Sequence, residues 1–241
     1  MNKAINIFKQ CLDNRNICLG MDQERQIEMF LDLLKQWNKK MNLTAIEDPQ
    51  DSAIKHLYDS LTVALDSGIR IDRTIKLIDI GSGAGFPGIP LKIFCEQWNV
   101  TLVDSLKKRV GFLKTVIDQL DLSGTSVIWG RAEELGQDDN LREQFDVVTA
   151  RAVAPINVLA EYCLPLAAVG GNCIFMKGPG AQEEVTLAGS AIETLGGGEV
   201  RIEKVVLPQI LHQRCLVIIK KVKSTPRGYP RRPGIPSKRP L

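Results

Sequence analysis

The stretch Leu77-Ile-Asp-Ile-Gly-Ser-Gly-Ala-Gly-Phe-Pro-Gly-Ile-Pro90 dictates a strand, a bare-backbone turn and a helix in immediate succession. The run IKLIDI at 75–80 is short, apolar and stopped by glycine, which is the pattern of a strand buried on both faces of a parallel sheet. Glycines at 81, 83 and 85 leave a turn without side chains, where positive φ costs little and another molecule can approach the backbone. In an open α/β sheet such a turn lies beyond the carboxyl end of its strand, where ligands bind.

The same alternation continues downstream. Strands are predicted at 99–103, 126–129, 145–150 and 172–176, and helices at 106–120, 156–167 and 182–195. Two last strands, 200–207 and 215–222, follow with no helix between them. Strands separated by helices pair in parallel through right-handed crossovers, whereas two strands joined by a short loop pair antiparallel. The predicted fold is α/β: a Rossmann-like, doubly wound, mostly parallel sheet with a late antiparallel strand. Upstream, Ile27, Phe30, Leu31, Leu34, Trp37 and Met41 recur at helical spacing, as do Ile54, Leu57, Tyr58, Leu61 and Leu65, with Asp48-Pro49 between them. Residues 1–70 therefore read as a helical extension packed on the α/β domain, 71–223 as that domain, and 224–241 as a basic, proline-rich tail.

Charge sets the tail apart. Residues 220–241 hold eight basic residues, five prolines and no acid, although the whole chain carries only +3. Proline at such spacing cannot continue a helix or a central strand. The reading is an extended, solvated cationic arm whose partner is a polyanion. No uncharged stretch is long enough to span a bilayer; the longest, 162–176, is interrupted by Pro165 and Gly170-Gly171. The first residues lack an apolar signal-peptide core. Six scattered cysteines without a CxxC pair, and only two histidines, His56 and His212, do not make a zinc site. Reduced thiols in a cytoplasm are the default.

Asp104 ends the second strand, nineteen residues beyond Gly85. A carboxylate there can accept hydrogen bonds from both hydroxyls of a ribose, which a nicotinamide dinucleotide and S-adenosylmethionine share. The dinucleotide spacing G-x-G-x-x-G, counted from Gly81, meets Phe86 where its third glycine belongs; counted from Gly83 it reaches Gly88, with Phe86 inside it. The spacing G-x-G-x-G after a strand ending in an acid fits an S-adenosylmethionine loop better, and the reversed late strand favours a methyltransferase. A nicotinamide-dependent oxidoreductase and a non-catalytic RNA-binding assembly factor remain the alternatives.

Seven motifs carry a more specific resemblance: Met41-Asn-Leu-Thr44, His56-Leu-Tyr-Asp-Ser60, GSGAGFPGIP, Val103-Asp-Ser-Leu-Lys-Lys-Arg109, Arg131-Ala-Glu133, Ala150-Arg-Ala152 and Met176-Lys-Gly178. Over nearly its whole length the sequence resembles the bacterial small-subunit rRNA methyltransferase G family, also called glucose-inhibited division protein B. The resemblance implies methylation of guanine N7 in 16S rRNA with S-adenosylmethionine as donor. The substrate is the RNA, an assembly intermediate or the small subunit; no metal and no membrane are implied, and the expectation is a cytoplasmic monomer. It further implies that Gly81, Gly83 and Phe86 contact the cofactor and that Asp104 holds its ribose, with Ser105 and Leu106 nearby. Ala132 and Glu133 would meet the adenine, and Arg151 would line the same site.

The residues are compatible with that chemistry. The strand at 145–150 lacks the [DNS]-P-P-[FY] signature of exocyclic-amine methylases and has no terminal cysteine for ring-carbon chemistry. Guanine N7 carries an in-plane lone pair and no proton, so alignment rather than a general base is what the enzyme supplies. Arg151 and Lys177, at the ends of two strands, are predicted to position the RNA or to form salt bridges. At about 100° per residue, His56, Asp59 and Ser60 fall opposite the Ile54/Leu57/Leu61 face, either in solvent or as a lid. Asn42 reads as a loop cap or a substrate contact.

Overall fold

The computed structural model describes residues 3–210 and 213–241, so His212 lies outside the described residues. Two helices, α1 (Lys3–Asp13) and α2 (Met21–Met41), open the chain. Asn42 closes α2 with φ of 50° and its N–H on the Asn38 carbonyl, so it is a helix cap. Asp48 then accepts from the backbone N–H groups of Gln50 and Asp51, with Pro49 in the first helical position. The pair that reads as a break is a helix start. One uninterrupted helical run follows: α3 (Pro49–Asp51), a π-helical stretch (Ser52–Tyr58) and α4 (Asp59–Leu65).

The α/β part runs β1 (Lys76–Ile80), α5 (Gly88–Phe94), β2 (Asn99–Asp104), α6 (Lys107–Leu120), β3 (Thr125–Trp129), α7 (Ala132–Leu135) and β4 (Phe145–Arg151). It continues through α8 (Ile156–Cys163), β5 (Ala167–Lys177), α9 (Ala181–Leu187), α10 (Gly189–Thr194), β6 (Gly197–Val205), β7 (Arg214–Lys221) and α11 (Ile235–Lys238). The seven strands lie in the order β3-β2-β1-β4-β5-β7-β6. The first five are parallel, and β7 is antiparallel to both β5 and β6. The chain winds outward from β1 in both directions, so β1 and β4 flank the switch point where such sheets bind ligands. Side chains alternate across the sheet: Leu77 packs with Phe8, Phe30 and Phe112 in the layer shared with the N-terminal helices, and Ile78 packs with Leu159 and Ile192 on the other face.

Three predicted elements differ. The helix at 182–195 is two helices, because α9 ends at Leu187 with Ala188 as its cap, whose N–H is shared between the Glu184 and Val185 carbonyls, and Gly189 opens α10. The helix from 156 stops at Cys163, ahead of Pro165, and β5 begins five residues earlier than predicted. The largest correction concerns the tail. It is a docked strap, with Thr225, Pro230 and Pro236 buried. The Arg142 guanidinium donates to the carbonyls of Gly136, Thr225, Pro226 and Tyr229. Arg231 grips Glu161 of α8, whose side chain has no exposure, at 2.6 Å. Lys221, also fully buried, donates to the Leu164 and Leu195 carbonyls and to the Thr225 hydroxyl. Prolines lower the entropy lost on ordering, and a buried carboxylate demands a partner; together they dock a segment that composition alone marks as solvated. Arg232, Lys238 and Arg239 remain exposed.

Candidate active site

The turn after β1 is left-handed at Gly81, Gly83 and Gly85, with φ of 71°, 57° and 91°. Packing demands two of these glycines outright: a Cβ at Gly81 would lie 2.7 Å from Val153, and one at Gly85 2.7 Å from Ile89. At Gly83 the nearest atoms would be 3.8 Å away, an ordinary contact distance, so packing does not demand glycine there and only the left-handed φ does. Gly88 has a different task. A Cβ there would sit 2.2 Å from the Leu102 side chain, so this glycine lets α5 lie close against β2.

Asp104 is almost fully buried beside the turn. Its carboxylate accepts from the Gly83 N–H at 3.0 Å and the Leu106 N–H at 2.8 Å, and Arg109 stands 3.6 Å away. It therefore anchors the turn, yet a carboxylate offers about four lone-pair positions, and two backbone bonds leave capacity for a further donor. Ser105 and Leu106 are exposed beside it, and the Trp129 indole donates to the Ser105 carbonyl. Ala132 and Glu133 are buried at the start of α7, and the Glu133 carboxylate accepts the Gly234 N–H of the strap at 2.9 Å.

Beneath the turn lies Asp79, with no exposure. One oxygen accepts the Gly88 N–H at 3.1 Å; the other has no hydrogen-bond partner. Burial pushes its pKa up to about 7, against the pull of that N–H, Ser82 and the Arg151 charge.

On the β4 side, Arg151 donates to the Lys55 carbonyl at 3.0 Å, lies 3.7 Å from Asp59 and stacks over the Phe86 ring. His56 stacks on the same ring at 4.3 Å, almost parallel. Arg151 Nη2 donates toward His56 Nδ1, so Nε2 carries the proton shared with Thr44 Oγ1 at 2.8 Å. Burial and the Arg151 charge hold the His56 pKa down at about 3, so the ring is neutral. His56, Asp59 and Ser60 are thus buried, not solvent-facing. The surroundings are the reason: residues 52–54 and 56–64 are all buried, so this helical run is enclosed on every side and presents no solvent face. Phe86 is also inside, packed against Phe30 and His56, so any contact with a ligand in the turn runs through its backbone. Lys177 is held by Glu184 at 2.7 Å and by the Ala154 carbonyl.

A cavity of about 350 Å³ opens where these groups meet, lined by Lys55, His56, Asp59, Arg151, Lys177 and Arg214 among others. The structure thereby brings Arg151 and Lys177 together. Sequence reasoning missed Arg214, on β7, because nothing in its neighbourhood marks it; only the antiparallel pairing of β7 with β5 carries it there. A larger hollow of about 700 Å³ lies at the opposite ends of the strands, beside Arg70, Asp146 and Lys220. It is remote from the carboxyl ends where open sheets bind ligands.

The reversed β7, the glycine turn and the acid ending β2 define the class I methyltransferase architecture. Solved structures share that fold: an O-methyltransferase from Bacillus cereus in complex with SAH (TM-score 0.55, 17% identity, 80% of this chain and 91% of that one). A predicted O-methyltransferase from Agrobacterium tumefaciens aligns with TM-score 0.53 and 19% identity over 69% of this chain and 82% of that one. A family model described as rRNA small subunit methyltransferase G matches residues 23–214. Relatives of that name include one from Desulforamulus reducens, 48% identical over all of both chains. Another, from Halalkalibacterium halodurans, is 47% identical over 97% of this chain and 98% of its own. The chain belongs to this family and is an S-adenosylmethionine-dependent methyltransferase. Among the described residues no helix is long and apolar enough to cross a membrane, and no cluster of His, Cys, Asp or Glu could hold a metal ion.

Proposed function

We propose that this chain methylates N7 of a guanine in 16S rRNA by in-line transfer, without a general base. The observation that carries this reading is the electrostatic make-up of the cavity between the glycine turn and β5. Four cations, Lys55, Arg151, Lys177 and Arg214, line it; its histidine is neutral, and the carboxylates of Asp59 and Glu184 are engaged by Arg151 and Lys177. Such a pocket suits a neutral acceptor atom on an anionic polymer. The bound cofactor supplies a methyl group on a sulfonium; the N7 lone pair forms the new N–C bond as the S–C bond breaks, and its electron pair stays on sulfur.

The chain's residues fit the cofactor. The bare backbone at Gly83 admits it, Asp104 has lone pairs for the ribose, and the unpartnered Asp79 oxygen suits its ammonium group. Arg151 positions the acceptor and excludes water, while Lys177 and the exposed Lys107, Lys108 and strap cations meet phosphate. In this reading residues 1–70 supply His56 and Asp59 to the floor of the site, 71–223 hold cofactor and acceptor, and 224–241 brace them. The protein acts as a cytoplasmic monomer.

Gly83→Val is expected to leave a folded protein, destabilised by about 1–2 kcal/mol from its left-handed φ, that no longer binds S-adenosylhomocysteine in calorimetry. Normal binding would show that the ligand does not follow the turn.

Two pH dependences should separate. Cofactor affinity should fall about tenfold per unit below about pH 7, where Asp79 takes up a proton, and the loss should vanish in Asp79→Asn. The sign for stability is opposite: the raised Asp79 pKa favours the folded state at low pH, and that contribution is lost as pH rises through about 7. Single-turnover transfer at saturating cofactor should stay flat between about pH 6 and 9, since His56 does not titrate there. A unit-slope loss of transfer below about pH 7 with cofactor bound would mean that a base is required.

A further inference from the structure

We infer that the C-terminal strap is part of the cofactor site, forming the outer wall of its adenine subsite. This rests on the S-adenosylmethionine reading of the glycine turn. Three observations converge on one corner. First, the Gly234 N–H is bonded to Glu133, the acid that starts α7 directly after β3. The carboxylate is nearly buried, and this bond holds it in one orientation while occupying one of about four lone-pair positions. The others stay available to an amine such as the exocyclic group of adenine. Second, the strap is pinned immediately ahead of that contact. Pro230 covers Gly136, where a Cβ would lie 2.7 Å from the proline ring, and its carbonyl accepts from Gln137. Arg231 is locked to Glu161, and Gly234 has φ of 82°, which glycine adopts freely. Third, exposed apolar side chains stand at this end of the sheet. Leu106, Trp129 and Val153 are among the exposed large apolar side chains and sit at the carboxyl ends of β2, β3 and β4; Ile235, next to Gly234, is another. Flat heterocycles bind in such apolar rims closed by a few placed polar groups.

Gly234 is accordingly a positioning residue that acts through Glu133, and Ile235 is an apolar contact for the base. The consequence runs against a tail that only attracts RNA: altering the strap should weaken cofactor binding with no RNA present.

The test is calorimetric titration of the full chain and its variants with S-adenosylhomocysteine and with its 6-oxo analogue, S-inosylhomocysteine. The full chain should prefer the adenine compound. A chain lacking residues 233–241 keeps Arg231 and Glu161. It should bind S-adenosylhomocysteine about tenfold more weakly and discriminate less between the two bases, with its melting temperature nearly unchanged. In the full chain Ile235→Asp should weaken binding by a similar factor and Ile235→Leu should restore it, so the inference is testable even if the truncated chain fails to fold. Unchanged affinity and unchanged base preference in Ile235→Asp would overturn it. A full chain that binds neither compound would instead overturn the reading of the glycine turn on which the inference rests.

Discussion

Arg231→Ala is expected to lower stability by about 3 kcal/mol, toward the lower end for breaking a buried ion pair, because Arg231 keeps some exposure. Glu161 lies in α8 with no exposed side-chain surface. Both of its oxygens receive the guanidinium: Nε and Nη2 donate at 2.6–3.1 Å, and the Arg231 backbone N–H adds a further bond at 2.8 Å. Removing the guanidinium leaves a carboxylate in a largely apolar layer with one backbone partner. For a chain of this length the loss corresponds to a fall in melting temperature of roughly 6–12 °C. The double variant Arg231→Ala, Glu161→Leu should recover most of it, because no uncompensated charge then remains. A double variant as unstable as the sum of the two single ones would show that the pair is not coupled. Thermal denaturation of the four proteins decides it.

Asp104→Ala should weaken S-adenosylhomocysteine binding by about 2–3 kcal/mol, the range for a charge-assisted bond to two hydroxyls. The structure adds a second consequence. The same carboxylate holds the Gly83 N–H and the Leu106 N–H, so its loss also frees the turn and the approach to α6. Asp104→Asn separates the two effects: its carbonyl oxygen can keep one backbone bond, while the amide group cannot accept from the ribose. A melting temperature between those of Asp104→Ala and the parent, with affinity still reduced at least tenfold, is the expected result for Asn. Unimpaired affinity in either folded variant would remove Asp104 from the cofactor site.

Much of this architecture can be read from the chain because its signals are local. Glycine after an apolar run, Asp104 at the end of the next one, and strands without an intervening helix at the C-terminus each follow from residue types a few positions apart. The elements that read wrongly depend on distant partners. His56 and Asp59 are enclosed because their helical run is covered on every side, with Phe86 and Arg151 there to receive them. Arg231 turns inward because Glu161, seventy positions away, is buried. The one local hint was Glu161 itself, a lone acid in the apolar helix INVLAEYC. The position of Asp104 beside the glycine turn was legible, but its bond to the turn was not, since only the close approach of β2 to β1 creates it.

The central claim is that this site moves a methyl group onto guanine N7 of small-subunit rRNA. It is tested most directly by incubating the purified chain with methyl-labelled S-adenosylmethionine and 16S rRNA or small subunits, then digesting the RNA and resolving its nucleosides by mass. The expected result is label in 7-methylguanosine at a single position, lost with Gly83→Val. Label on an exocyclic amine or a ring carbon, or no transfer by a chain that binds the cofactor, would contradict it.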